Sequence, residues 1–381
     1  MFMADRLGIG IIGCGTISKT YFDLAPTFSG LEIRACADLN RHAAEARGSD
    51  YGVRALTVHD LLLADDIDLI VNLTVPDAHY LVSHEILAHG KHVYSEKPLA
   101  LSIRDGQALA DLARKKHLKV GCAPDTFLGG AHQIARKAVD EGLVGEIVGG
   151  TCHVMSHGME HWHPNPDFFF KPGGGPVLDL GPYYVAALLN LIGPVKRVCA
   201  MSGMPFKTRT IRSGARKGEK IDVTTPTTIH AILEFQTGAK VTLTASWDVW
   251  AHRHQPMELY GTRGTLFLAD PNFFGGDVSL VAEDGTAKPL DGAVHPFGAA
   301  NVDDNGTPRA NYRAAGLADM AQSILRGDEG EFRCSLERAL HAVDVMVSIL
   351  KSAETGTFVD IEHQASRPQA LAAAEAGKLL A

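Results

Sequence analysis

Short apolar runs alternate with amphipathic stretches over the first 125 residues. LGIGIIGC (7–14), LEIRACAD (31–38), DLIVNLT (68–74), HVYSEK (92–97) and KVGCAP (119–124) have the length of strands. DAHYLVSHEILAHG (77–90) and IRDGQALADLARKKH (103–117) carry helical spacing. Such alternation predicts βαβ units and a parallel sheet with helices on both faces. Beyond Gly145 strand-like runs follow one another: EIVGGTCHVMS (146–156), TTIHAILEFQTGAKVTLTASWDVW (227–250), PMELYGTRGTLFLAD (256–270) and VSLVAEDG (278–285). A hairpin is predicted at Gln236–Ala239, and strands without crossovers predict an antiparallel sheet. Helices are predicted over 313–326 and 335–354, a long polar loop over 285–308, and a short docking helix in the Ala-rich tail.

The length of 381 residues exceeds one ordinary core, so the pattern divides the chain into domains over 1–124 and 125–364 with a tail over 365–381. A net charge of -8, with no basic run, argues against a nucleic-acid partner. No apolar run is long enough to span a bilayer, and the N-terminus lacks a signal layout, so no membrane association is expected. The six cysteines are widely spaced and none forms a CxxC pair. Four lie in apolar stretches that read as strands, where a cysteine is usually a small buried hydrophobe; this suggests a reducing compartment, and the expectation is a cytoplasmic protein.

Gly13-Cys14-Gly15-Thr16-Ile17-Ser18 is a GxGxxG pattern with serine in the third slot. It follows one predicted strand and opens a helix, the context in which this pattern seats a dinucleotide. The first two glycines permit a tight turn and close approach of backbone to a pyrophosphate, and the helix start, with Thr16 and Ile17, offers unpaired N–H groups. A plain glycine-rich turn is the other reading. Asp38 ends the second strand about twenty residues on, where an acid bonds the adenosine ribose and repels a 2′-phosphate. This favours NAD over NADP, with Arg41 as the argument for NADP; Asp38 could instead cap the next helix.

NLTVPDAH (72–79), SEKPLA (95–100), GGGPVLDLGPYY (173–184), GTRGTL (261–266) and GLADM (316–320) occur in order after this fingerprint. Together they resemble the glucose–fructose oxidoreductase / inositol dehydrogenase (Gfo/Idh/MocA) family over nearly the whole chain. The resemblance implies an α/β fold: an N-terminal Rossmann dinucleotide-binding domain plus a C-terminal α+β domain with a large, open, mostly antiparallel sheet. It implies an active site between them, and homodimers or homotetramers through that sheet. Thr74, Pro76, His79, Glu96 and Lys97 would line the cofactor, with Lys97 at the nicotinamide and the substrate hydroxyl. Asp179 matches the second active-site stretch. Four residues later many members carry a histidine as acid/base; this chain carries Tyr183.

A free phenol, with a pKa of about 10, is a poor base near neutrality, and a nearby cation lowers it. The expected arrangement is a Lys97–Tyr183 acid/base pair supported by Asp179, which shares a helix face with Tyr183 unless Gly181-Pro182 kinks the helix. Each residue also has a bland reading: a solvated lysine, an acid at a helix start, and a core tyrosine.

HGMEH (157–161) has the spacing of an inverted zinc-peptidase motif, but it follows a strand and contains Gly158, so no metal is expected. His157, Trp162, His163 and Asn165 read instead as a loop offering an aromatic platform and hydrogen bonds to a polyhydroxylated small molecule, or equally as structural loop residues. Asp125 and Phe127 follow the sixth strand; Asp125 would bind a sugar hydroxyl or cap a helix. Trp247, Asp248, His252 and His254 could face the pocket or an interface. The expected function is hydride transfer between NAD(P) and a secondary alcohol or ketone of a sugar, sugar derivative or cyclitol. The alternative is a non-catalytic dinucleotide-binding sensor of the same fold.

Overall fold

The computed structural model describes residues 6–163, 165–327 and 331–381. The chain forms two compact units: one holds the chain up to Gly129 with Val294–Val343 and Leu371–Ala381, the other Gly130–Ala293 with Asp344–Ala370.

The first unit is built on β1 (Leu7–Ile12), α1 (Thr16–Leu24), β2 (Leu31–Ala37), α2 (Arg41–Tyr51), β3 (Arg54–Leu56), α3 (Val58–Leu63), β4 (Leu69–Asn72), α4 (Pro76–Ala88), β5 (His92–Ser95), α5 (Ile103–Lys116) and β6 (Val120–Cys122). The six strands lie in the order β3-β2-β1-β4-β5-β6. All their pairings are parallel. β1 and β4 are buried at every position, which is why their sequences read as unbroken apolar runs. The order reverses between β1 and β4, so a crevice opens beyond their carboxyl ends. β3 has only three residues and opens on exposed Arg54, too little pattern to predict it. Asn40, Thr57 and Ser102 cap α2, α3 and α5 through their side chains.

The second unit contains α6 (Gly130–Asp140), β7 (Ile147–Met155), α7 (Pro176–Leu191), β8 (Val195–Gly203), β9 (Thr208–Thr210), β10 (Lys220–Asp222), β11 (Thr228–Phe235), β12 (Lys240–Ser246), β13 (Met257–Gly261), β14 (Gly264–Leu268), β15 (Val278–Ala282) and β16 (Ala287–Leu290). Back in the first unit, β17 (Val302–Asp304) and β18 (Thr307–Arg309) form a separate ribbon. They are followed by α8 (Ala315–Leu325), α9 (Leu336–Thr355), β19 (Val359–Asp360) and α10 (Ala373–Leu379). Nine strands form one sheet in the order β16-β15-β14-β13-β7-β12-β11-β8-β19. The predicted hairpin joins β11 to β12.

The sheet is mixed. β12 pairs with β7 in parallel while its other pairings are antiparallel. The expectation of an antiparallel sheet came from sequential strands, but the chain leaves β7, passes through α7, β8 and β11, and returns beside β7 in the same direction. The segment expected as one long loop over 285–308 instead supplies β16, β17 and most of β18, whose exposed polar residues hide the strand period. The tail does form a short helix, α10. Leu380 bridges to Phe28 in the first unit.

Candidate active site

The nucleotide end begins with the turn after β1. Gly13 has φ +102°, and a Cβ there would lie 2.6 Å from the backbone carbonyl of Leu73, so only glycine fits. A Cβ on Gly15 would meet nothing within 4 Å. Protein packing therefore does not require glycine at 15; a ligand approaching the backbone would. Gly15 is the N-cap of α1 and provides no side-chain cap to the first turn. Ser18, fully buried in the third slot, donates from Oγ to Gly15 O (2.7 Å) and accepts from Arg47 Nε (3.1 Å). The serine thus fits the close packing expected of glycine and also ties down the loop.

Asp38 sits at the end of β2 and accepts from Cys14 N (2.7 Å) through Oδ2 and from Asn40 N (2.7 Å) through Oδ1. The cap of α2 is Asn40, so Asp38 is held against the glycine turn and does not serve as that cap. Thr74 follows β4, with its N–H and Oγ1 both donating to Asn72 Oδ1 (3.2 and 2.7 Å). Pro76 is the first residue of α4. His79 is buried, its Nδ1 2.7 Å from Pro98 O and its Nε2 3.0 Å from Thr74 O. It clasps the Thr74 turn to the turn after β5. Burial lowers its pKa, against the pull of those two carbonyls.

Glu96-Lys97-Pro98 follows β5. Glu96 is buried; its Oε2 accepts from Lys97 N (3.0 Å) and its Oε1 from Tyr21 OH (3.0 Å), with Arg313 Nη1 at 3.6 Å. Lys97 itself is half-buried. Asp125 is fully enclosed, and its Oδ2 accepts from Ala314 N (3.0 Å) and Gly316 N (3.2 Å). Its carboxylate therefore anchors the segment entering α8. Burial raises its pKa, while Arg313 opposes the rise. Phe127 is core.

In the second unit the glycine run before α7 has a steric cause. Gly173 and Gly175 have φ +87° and +88°. A Cβ on Gly174 would lie 2.5 Å from the carbonyl oxygens of both Phe168 and Phe169. The chain turns there in almost no space and enters α7 through Pro176. α7 continues through Gly181 and Pro182, so the expected kink or restart does not interrupt it. Asp179, half-buried, and Tyr183, buried, thus stand at i and i+4 of one continuous helix. The neighbouring Tyr184 is different: it donates to Asp270 Oδ1 (3.2 Å), and burial followed by that carboxylate pushes its pKa well up.

The loop after β7 carries His157, Trp162, His163 and Asn165. His157 stacks face to face on Trp250, with 3.3 Å between centroids, and burial lowers its pKa. Trp162 is 56% exposed and packs edge-on to His163. Burial lowers the pKa of His163, and Asp179 is near enough to oppose that electrostatically. Asn165 is exposed, with its N–H on His163 Nδ1 (3.1 Å). Glu160, within HGMEH, is buried and bonds Arg209 Nη1 (3.0 Å). No cluster of metal-binding side chains occurs among the described residues. Trp247 is core, and Asp248 accepts from Arg209, Thr227 and Thr228. His254 stacks on His153, at 4.1 Å. The residues that hold this framework, buried Arg209 and the partly buried Arg47 and Arg313, carry no local sequence signal, because an arginine drawn into the fold looks like any surface arginine in a polar stretch.

A switch-point crevice bordered by a glycine turn, with an acid pinned to it and a lysine at a neighbouring strand end, defines the class of dinucleotide-binding oxidoreductases. Residues 7–123 match the GFO/IDH/MocA oxidoreductase family, NAD-binding Rossmann fold, and residues 132–267 match the GFO/IDH/MocA C-terminal domain. The chain belongs to this family. It is 31% identical over 161 residues to an uncharacterized oxidoreductase of Schizosaccharomyces pombe, covering 41% of this chain and 42% of that protein. The matched stretch thus spans less than half the length of that relative. It is 23% identical over 330 residues to levoglucosan dehydrogenase of Pseudarthrobacter phenanthrenivorans, covering 77% and 82% of the two chains. A solved levoglucosan dehydrogenase in complex with NADH and levoglucosan shares the fold, with TM-score 0.78, 18% identity and coverage of 93% of this chain and 99% of that one.

Proposed function

We propose that the protein is an NAD-dependent dehydrogenase or reductase acting on a secondary alcohol or ketone of a sugar, sugar derivative or cyclitol. The observation that carries this is Gly15: a Cβ there would meet nothing within 4 Å, at the start of a helix beside the pinned carboxylate of Asp38. That seat fits a dinucleotide, with Gly13, Gly15, Thr16 and Ile17 at the pyrophosphate and Asp38 at the ribose. Thr74, Pro76, His79, Glu96 and Lys97 shape the nicotinamide side. A carboxylate at 38 supports NAD over NADP. The named relative levoglucosan dehydrogenase supports a sugar-like substrate.

NAD, when bound, supplies two-electron acceptor or donor chemistry. The chain's own residues manage the proton. In the oxidising direction the phenol oxygen of Tyr183 takes the proton of the reacting hydroxyl, and Lys97 supplies a cation on the nicotinamide side. Asp179 accepts from a neighbouring hydroxyl of the substrate. His157, Trp162, His163 and Asn165 present polar and aromatic surface to the rest of a polyhydroxylated ring. Assembly into dimers or tetramers through the open face of the nine-stranded sheet is part of this reading. Exposed Met201 (78%) and Ile232 (47%) on that sheet support it.

Nicotinamide absorbance on mixing the protein with NAD⁺ or NADP⁺ and a panel of aldoses, aldonates, inositols and anhydrosugars tests the proposal. Turnover with NAD⁺ and one substrate class is expected, and Tyr183→Phe should lower it roughly a hundred-fold or more while NADH still binds. Silence across the panel, or a fully active Tyr183→Phe enzyme, would refute the respective part.

A further inference from the structure

Arg209, in β9, lies almost wholly inside the second unit, with 4% of its side chain exposed. Its guanidinium joins parts of the chain far apart in sequence. Nη1 donates to Glu160 Oε1 (3.0 Å) and His157 O (3.4 Å); Nη2 donates to Trp247 O (3.0 Å) and to Asp248 Oδ1. Asp248 is in turn fixed by Thr227 Oγ1 (2.8 Å) and Thr228 Oγ1 (2.6 Å) on its other oxygen. Phe170 and Phe206 lie 5.6 and 4.9 Å from the guanidinium carbon. Around this centre Met159, Phe169, Phe170, Ile211, Ile221 and Trp247 form a small core of their own. The β9–β10 ribbon, inserted between β8 and β11, thereby fastens the loop after β7 to the end of β12.

We propose that Arg209 is a positioning residue for substrate: it sets the 157–170 loop, and through it the aromatic and histidine groups offered to a polyhydroxylated ligand. This rests on the sugar-oxidoreductase reading above. The fork geometry of arginine is required, because a lysine ammonium cannot address Glu160, Asp248 and two carbonyls at once. Removing the cation leaves the buried carboxylates of Glu160 and Asp248 without their counter-charge. The dinucleotide seat belongs to the first unit and takes no part in this network.

The test compares wild type, Arg209→Lys and Arg209→Met by NADH fluorescence titration, steady-state kinetics and amide hydrogen exchange. In Arg209→Met, exchange should quicken about ten-fold or more over 157–171 and 207–224, with β11 and the first unit unchanged. The sugar KM should rise roughly ten-fold with kcat within about three-fold, and NADH affinity should hold. Arg209→Lys should fall between. If Arg209→Met does not fold, Asp248→Asn, which keeps the shape and loosens one anchor, should show the same pattern more weakly. A kcat that falls with KM unchanged, or unchanged loop exchange, would overturn the proposal, since a purely structural role lowers only the active fraction. A wild type silent on every sugar would instead sink the parent reading, while loop exchange would still decide whether Arg209 holds the loop.

Discussion

Asp125 shows how one residue type at one position can carry two different meanings. A carboxylate just after the sixth strand of a nucleotide-binding sheet reads as a ligand group, yet its Oδ2 receives the N–H groups of Ala314 and Gly316, residues nearly two hundred positions away. Asp125→Ala would leave those two buried donors unpaired and should cost about 2–4 kcal/mol by chemical denaturation. Asp125→Asn keeps an acceptor and should cost less, with the sugar KM unchanged. A raised KM in the Asn variant would restore a direct role at the substrate. Lys97 and Glu96 are a contrasting case, because the triplet that singled them out in sequence is also the place where Glu96 accepts from the N–H of Lys97 and from Tyr21.

At the scale of elements, the turn between β1 and α1 holds two glycines with opposite steric surroundings within three residues. Gly13→Ala would force a Cβ against the Leu73 carbonyl at a φ of +102°, so the expected outcome is a lowered Tm, with strain of about 1–3 kcal/mol. Gly15→Ala adds a methyl where the protein leaves open space. Its Tm should match wild type while the NADH dissociation constant rises by about ten-fold or more, read by fluorescence titration. Equal loss of stability in both variants would show that Gly15 is needed by the fold alone. α7 makes the same point about steric cause, since its glycines are required by the carbonyls of Phe168 and Phe169 and by positive φ, while Asp179 and Tyr183 follow from the helix that the turn launches.

Across the whole molecule, stability depends on a histidine that folds neutral. His132 is buried, and burial is the first cause lowering its pKa below its ordinary value of about 6.5. The folded state therefore resists a proton that the unfolded chain accepts. Its contribution is present above about pH 6.5 and is lost as pH falls through that value towards the depressed folded pKa, by up to about 1.4 kcal/mol per pH unit. Thermal melts from pH 8 to pH 5 should be flat at first and then decline. His132→Gln, which can still donate to Phe273 O, should give a shallower decline. A slope unchanged by that substitution would assign the acid sensitivity to other groups.

Period and punctuation were local enough for the chain itself to determine much of this. Five of the six parallel strands, the glycine turn, Asp38, the Lys97 triplet and the i, i+4 pair on α7 are each written within about a dozen residues. What the linear pattern lacks is partner choice. The parallel pairing of β7 with β12, the three-residue β3 and the return of Leu380 to Phe28 depend on segments that meet only after folding. The same holds for charge: Arg209, Arg313 and Asp125 look solvated in sequence, and only enclosure by distant residues turns them into anchors. Burial is a property of the assembled chain, and it separates the residues that hold the site from those that can use it.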